Sequence, residues 1–235
     1  RIKALQGFDI ADVWGIGRKH AEKLNYHGIR TAWDFTQKNE SWVRKMLTVT
    51  GVRTWKELQG ISCIDIEELP QKKSICTSRS FADQGLSELT QVEEAVANFA
   101  ASCSRKLKEQ KSCCSSMTVF AYTSRFRMDL PSHAINRTVT FPVPTNDQQE
   151  LAASAVRALR SEWRKGNTYL YKKAGVIVWD ICPDSAIQTN LFDTIDREKQ
   201  ARLAAAIDAI NRKNGYNTVK VAVQGNGKSW HLKCE

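Results

Sequence analysis

Between residues 74 and 183 the hydrophobic period switches repeatedly between two and about 3.6, and this alternation limits the possible folds more than any other feature of the chain. Ser74–Phe81 is rich in β-branched, aromatic and small polar residues and reads as a strand. Residues 88–111 place Leu89, Val92, Val96, Phe99, Cys103 and Leu107 at steps of three and four, the spacing of a helix with one apolar face. Met117–Ser124 alternates, with Met117, Val119 and Ala121 on one side and Thr118, Phe120 and Tyr122 on the other. Ile135–Val143 sets Ile135, Val139, Phe141 and Val143 against Asn136, Thr138 and Thr140. A second helix is expected over 147–166, with Leu151, Ala155, Leu159 and Trp163 on its stripe and Gly166 at its stop. Ala174–Ile181 is a nearly continuous apolar strand. The order β-α-β-β-α-β is that of a split βαβ unit, an α+β fold whose two helices cover one face of a sheet and leave the other open. The open face is expected to carry Asn136, Thr138 and Thr140, with Ser78 and Ser80 beside them and Arg79 and Arg137 at the margin. Hydroxyls and backbone N–H groups near arginine suit phosphate contact without base reading.

Charge supports a polyanionic partner. The 235 residues carry 35 Lys and Arg against 25 Asp and Glu, a formal net charge of +10. Residues 71–183 hold 16 basic and 10 acidic side chains, whereas each flank is only +2. No apolar run approaches the roughly 20 residues of a membrane span, so no membrane partner is expected. Arg1-Ile2-Lys3-Ala4 shows neither a Met start nor an apolar signal segment, and the chain reads as a fragment of a cytoplasmic protein. The seven cysteines are scattered without a C-x-x-C pair, so reduced thiols are expected rather than a metal site or a disulfide framework.

Residues 9–36 read as helix, hairpin, helix. In Val13-Trp14-Gly15-Ile16-Gly17-Arg18-Lys19, two glycines flank one apolar residue and a basic helix follows, with Ala21 and Leu24 facing inward. Glycine permits the tight turn, and the helix start then offers free N–H groups to an anion. Gly15, Ile16, Gly17, Arg18 and Lys19 are therefore candidate phosphate contacts, with Lys23 adding charge and Leu24-x-x-x-Gly28-Ile29 closing the unit. Trp33, Trp42 and Trp55 read as core anchors. Leu58-Gln59-Gly60 ends the helical part, and a linker with Pro70 as breaker follows, giving an all-α region over 1–70 and a sheet domain over 71–183.

After Pro183, residues 184–194 hold Gln188-Thr189-Asn190-Leu191-Phe192-Asp193. Gln188, Leu191 and Phe192 in a linker suit a docked linear peptide. Residues 195–235 read as a small αββ unit: Leu203, Ile207 and Ile210 form a helical stripe, and Thr218–Val223 and Ser229–Lys233 a strand pair.

Taken in order, Trp14-Gly15-Ile16-Gly17, Trp55-Lys56-Glu57-Leu58-Gln59-Gly60, Cys76-Thr77-Ser78-Arg79-Ser80-Phe81, Tyr171-Lys172-Lys173-Ala174-Gly175-Val176 and Gln188-Thr189-Asn190-Leu191-Phe192-Asp193 resemble the C-terminal portion of the Y-family translesion DNA polymerases, in their UmuC-like branch. The resemblance covers nearly the whole chain. It implies that residues to about 70 include the thumb, which grips a primer-strand phosphate, and that the sheet domain is the little finger, which lies along duplex DNA in the major groove. Gln188 to Phe192 then matches the family's sliding-clamp peptide, with Thr189 where such peptides often carry Leu. The implied partners are primer–template DNA, the sliding clamp, the processed UmuD dimer and the RecA filament, in the setting of the SOS response and the bacterial nucleoid. The family's two-metal chemistry uses palm carboxylates that would precede Arg1, so no catalytic or metal-binding residue is expected here and Mg2+ belongs to that palm. Asp65, Glu67 and Glu68 read as a solvated acidic turn. On this reading the chain binds DNA and is inactive alone. Two alternatives are a stand-alone DNA-binding or clamp-docking module, and an RNA-binding sheet, which would expose aromatics on its two central strands.

Overall fold

The computed structural model describes residues 1–235 except 64–70, 83–84, 165, 167, 189, 191–192, 194, 216, 227–229 and 231–235. The chain divides into two compact units, Arg1–Pro70 and Gln71–Glu235.

The first unit is helical. Helix α1 (Ile2–Gln6) precedes a single 3-10 turn (Ile10–Asp12), then α2 (Arg18–Tyr26), α3 (Ala32–Thr36) and α4 (Glu40–Leu58). The arm before the hairpin is thus only that 3-10 turn, shorter than the helix the pattern implied. Local chemistry sets the helix starts. Thr31 and Asp34 form a reciprocal capping box on α3, and the Asn39 side chain accepts from the Trp42 amide at 2.8 Å on α4. Helix α4 is interrupted at Thr48, whose φ is 64°. Ile10, Leu24, Ile29, Phe35, Val43 and Leu47 form the core, at most 1% exposed, with Trp42 and Trp55 packed against it.

The second unit contains β1 (Ser74–Ser80), α5 (Leu89–Glu109), β2 (Ser112–Thr123), β3 (Ala134–Thr145), α6 (Gln148–Glu162), β4 (Tyr171–Pro183) and α7 (Arg197–Asn214). The four strands form one antiparallel sheet in the order β1-β4-β2-β3. The expected β-α-β-β-α-β succession is present, and α5 and α6 pack together over one sheet face. Arg160 joins them through a bidentate pair with the nearly buried Glu93, at 2.5 and 3.0 Å. Helix α6 begins where Asp147 accepts from the Glu150 amide, but it ends at Glu162, four residues before Gly166.

Strand order corrects one expectation about the open face. The edges are β1 and β3, so Ser78 and Ser80 do not lie beside Asn136, Thr138 and Thr140. Two strands intervene, a separation of about 14 Å.

The tail departs from an αββ unit. Helix α7 is present, but Thr218–Val223 forms no strand; a 3-10 turn (Ala222–Gln224) stands at its end. Most of the second expected strand, Ser229–Lys233, lies outside the described residues. The turn is held by polar contacts instead. The Gln224 side chain accepts from Gln148 at 2.8 Å and donates to Asn98 at 3.2 Å, while its carbonyl accepts from the Asn98 amide group at 2.8 Å. Trp230 packs edge-on against Phe99 within the main core, with ring centroids 5.5 Å apart. Gln224 and Trp230 thereby close over the helical layer.

Candidate nucleic-acid interface

Two surfaces carry the residues singled out above. On the first unit, Gly15 has φ +91°, and a Cβ there would stand 2.7 Å from Thr54 Oγ1. The position needs glycine on both counts. The turn is closed by the Ile16 amide donating to the Val13 carbonyl at 2.9 Å. Gly17 starts α2 in extended conformation with no side-chain cap. The His20 amide already donates to the Gly17 carbonyl at 2.8 Å, so the N–H groups of Arg18 and Lys19 are those left for an external acceptor, at the positive end of the helix dipole. Arg18 and Lys19 are exposed there, and Arg18 also reaches Glu22 at 3.7 Å.

Other members of this group have different work. Ile16 is 5% exposed and anchors the turn in the core, so its side chain is not available to a ligand. Lys23 donates to the Met46 carbonyl at 3.0 Å, beside the interruption in α4. Trp14, next to Gly15, is 96% exposed. The sequence shows it only as part of an apolar-glycine run, so its exposure could not be read there.

On the second unit, the strand register defines four rows across the open face. They are Ser74–Trp179–Ser116–Thr140, Cys76–Ile177–Thr118–Thr138, Ser78–Gly175–Phe120–Asn136 and Ser80–Lys173–Tyr122–Ala134. None of the sixteen residues is acidic, and Lys173 is basic. Asn136, Thr138 and Thr140 are exposed on the β3 edge, while Ser80 is exposed and Ser78 half-buried on the β1 edge. The Thr118 and Thr138 hydroxyls are hydrogen-bonded at 2.9 Å, and the Trp179 indole N–H donates to Thr118 Oγ1 at 3.0 Å. Phe120 lies over Gly175, where a Cβ would collide with its ring, and stacks on Tyr122 at 5.1 Å.

Arg79 and Arg137 belong by register to the helix-covered side, at opposite edges. Arg79 lies over the Trp230 ring at 6.0 Å, and Arg137 stands 3.6 Å from Glu162. They border the face without facing it. Trp179 was missed because Ala174–Ile181 reads as one apolar run, which conceals its two sides, and Lys173 because the strand starts earlier, at Tyr171.

Gln188 is exposed, and Leu191 and Phe192 lie outside the described residues. So do Asp65, Glu67 and Glu68. Among the described residues, no group of three or more His, Cys, Asp or Glu could hold a metal ion, and no helix is long and apolar enough to cross a membrane. The buried thiols are poor nucleophiles: desolvation pushes Cys113 up to about 12 and raises Cys103 and Cys114 as well.

Comparison with known proteins gives a consistent family. Residues 72–191 match the impB/mucB/samB family C-terminal domain, and residues 201–235 match a domain of unknown function, DUF4113. Protein ImpB of Salmonella typhimurium is 36% identical over 100% of this chain and 55% of its own length. Protein UmuC of the same species is 35% identical over 96% of the chain and 53% of its own length. DNA polymerase IV of Oceanobacillus iheyensis is 24% identical over 92% of the chain and 50% of its own length. The chain spans about half the length of these curated relatives.

Proposed function

The chain belongs to the impB/mucB/samB family, and on that premise we propose that it is the DNA-holding C-terminal part of an error-prone translesion DNA polymerase. The observation that carries the reading is the family match over the sheet domain, together with a basic unit whose open face has no carboxylate. The hairpin at Gly15–Lys19 holds a primer-strand phosphate through backbone N–H groups. The sheet domain lies along the duplex, with Thr138, Thr140, Ser78 and Ser80 near the backbone and Arg79 and Arg137 adding charge at its borders. Nucleotidyl transfer belongs to palm carboxylates N-terminal of Arg1, where two Mg2+ ions would bind. This chain alone binds DNA and does not polymerise.

Gln188, Leu191 and Phe192 dock on the sliding clamp. The processed UmuD dimer and the RecA filament are further partners by family, and the protein works in the cytoplasm at the nucleoid. Replacing Leu191 and Phe192 together with Ala abolishes clamp binding in calorimetry; unchanged affinity removes the clamp from this account.

The primary test is fluorescence anisotropy on a primer–template duplex across a salt series, beside an unrelated duplex. Tight, salt-sensitive and sequence-blind binding is expected. Absence of duplex binding at low salt overturns the reading and assigns the basic unit to a protein partner.

A further inference from the structure

The stretch that matches a domain of unknown function, residues 201–235, is fastened to the sheet unit at a few fixed points. Buried Gln224 bonds to Asn98 on α5 and to Gln148 on α6. Gly225 has φ +57°, and a Cβ there would collide with the Glu94 carboxylate, so backbone and helix are in direct contact. Lys220 donates to the Gly225 carbonyl and closes the turn. Trp230 is buried, with its ring at 83° to Phe99. The same indole also reaches past α5 to the edge strand β1. There the Arg79 guanidinium carbon lies over its ring, 6.0 Å from the centroid.

Arg79 is exposed, between Ser78 and Ser80 at the end of β1. Alternation sends the two serines to the open face and Arg79 to the helix side, so the three bracket the same edge. A guanidinium on a long stem samples many positions. An aromatic face attracts the planar cation and narrows that range. A fork restrained in this way loses less freedom on meeting a phosphate, because part of the ordering is already complete. The indole is neutral and buried, so it supplies order without charge and without touching the ligand. An aliphatic side chain could cover Phe99 but would offer the guanidinium no π face.

We infer that the C-terminal segment holds Arg79 in place for a DNA phosphate, with Trp230 as the positioning residue and Gln224 and Gly225 as the fixed points that carry the segment across α5. The inference rests on the DNA-binding reading above and adds to it a task for the end of the chain.

The test is a double-mutant cycle on primer–template affinity, by anisotropy on the 235-residue chain at low salt. Trp230→Leu should weaken binding about fourfold, the size of one exposed cation–π contact, and should have no effect once Arg79 is replaced by Ala. Trp230→Phe, which keeps a π face, should retain most of the affinity. Arg79→Lys leaves the buried indole untouched, so it decides the matter even where Trp230→Leu does not fold. It keeps the charge and loses the planar fork, and should weaken binding by a similar factor with the salt slope unchanged. An equal loss from Trp230→Leu with and without Arg79 means that the indole acts through the fold alone, and overturns the inference. Full affinity in Trp230→Leu, in Arg79→Ala or in Arg79→Lys overturns it as well. In each of these cases, duplex binding by the wild type leaves the broader DNA-binding role standing, whereas its absence removes both.

Discussion

The two candidate DNA surfaces are built on opposite principles. In the first unit the proposed contact is made by backbone, and side chains exist to shape the turn. Ile16 is buried, Lys23 is tied to Met46, and Gly15 has no room for a Cβ. In the second unit the backbone is spent on the sheet ladder, and the proposed contact falls to side chains on a flat face. A surface made of N–H groups tolerates almost no change at its glycine but is indifferent to much around it. A surface made of side chains loses function gradually, one residue at a time.

The comparison is sharpened by substitutions that separate the units. Trp230→Ala should cost the second unit about 3–5 kcal/mol, as for a large aromatic lost from a core. Urea unfolding followed separately for each unit should show the first transition unmoved; a joint shift would mean the two do not unfold independently. Gly15→Ala should destabilise the first unit by about 1–2 kcal/mol through its left-handed conformation. It should also weaken duplex binding more than Arg18→Ala does. If Arg18→Ala is the more damaging, the backbone is not the main contact. Arg79→Ala should lower the magnitude of the salt slope by about one, equally on all duplex sequences. Arg137→Ala should lower it as well. A sequence-selective loss would contradict phosphate contact.

The smallest effect concerns pH. His133, hydrogen-bonded to the Tyr171 hydroxyl at 3.0 Å and stacked on Tyr169, is held below its usual 6.5 mainly by desolvation. The folded state therefore binds its proton less readily than the unfolded state. The contribution is complete above pH 6.5 and declines as pH falls below it. A modest drop in the urea midpoint of the second unit between pH 7.5 and 5.5, reduced in His133→Asn, is expected; an unchanged midpoint would show that His133 is not coupled to folding.

Face was legible in the sequence where neighbourhood was not. Alternation put Met117, Val119 and Ala121 on one side of their strand, and all three are fully buried. The spacing over 89–107 found the inward face of α5, including Val92, Phe99 and Cys103. A period of two says which side a residue takes but nothing about which strand lies alongside, so Ser78 was placed beside Asn136 with two strands missing between them. The same gap concealed Trp179, whose meaning depends on β4 being central. Thr218–Val223 has the composition of a strand, yet no described strand pairs with it, and long-range contacts from Gln224 to Asn98 and Gln148 favour a 3-10 turn there. Tertiary context overrode local preference.

The Asn98–Gln224 contact joins residues 126 positions apart. During synthesis, the described core of the first unit is complete once residue 58 has emerged, because it runs from Ile10 to Val52 and is edged by Leu58. The sheet unit must wait for Gln224 and Trp230 before its helical layer is covered. Until then α5 offers the apolar Phe99 surface to whatever is nearby, and a ribosome stalled in that interval would hold a finished hairpin beside an adhesive, half-made sheet.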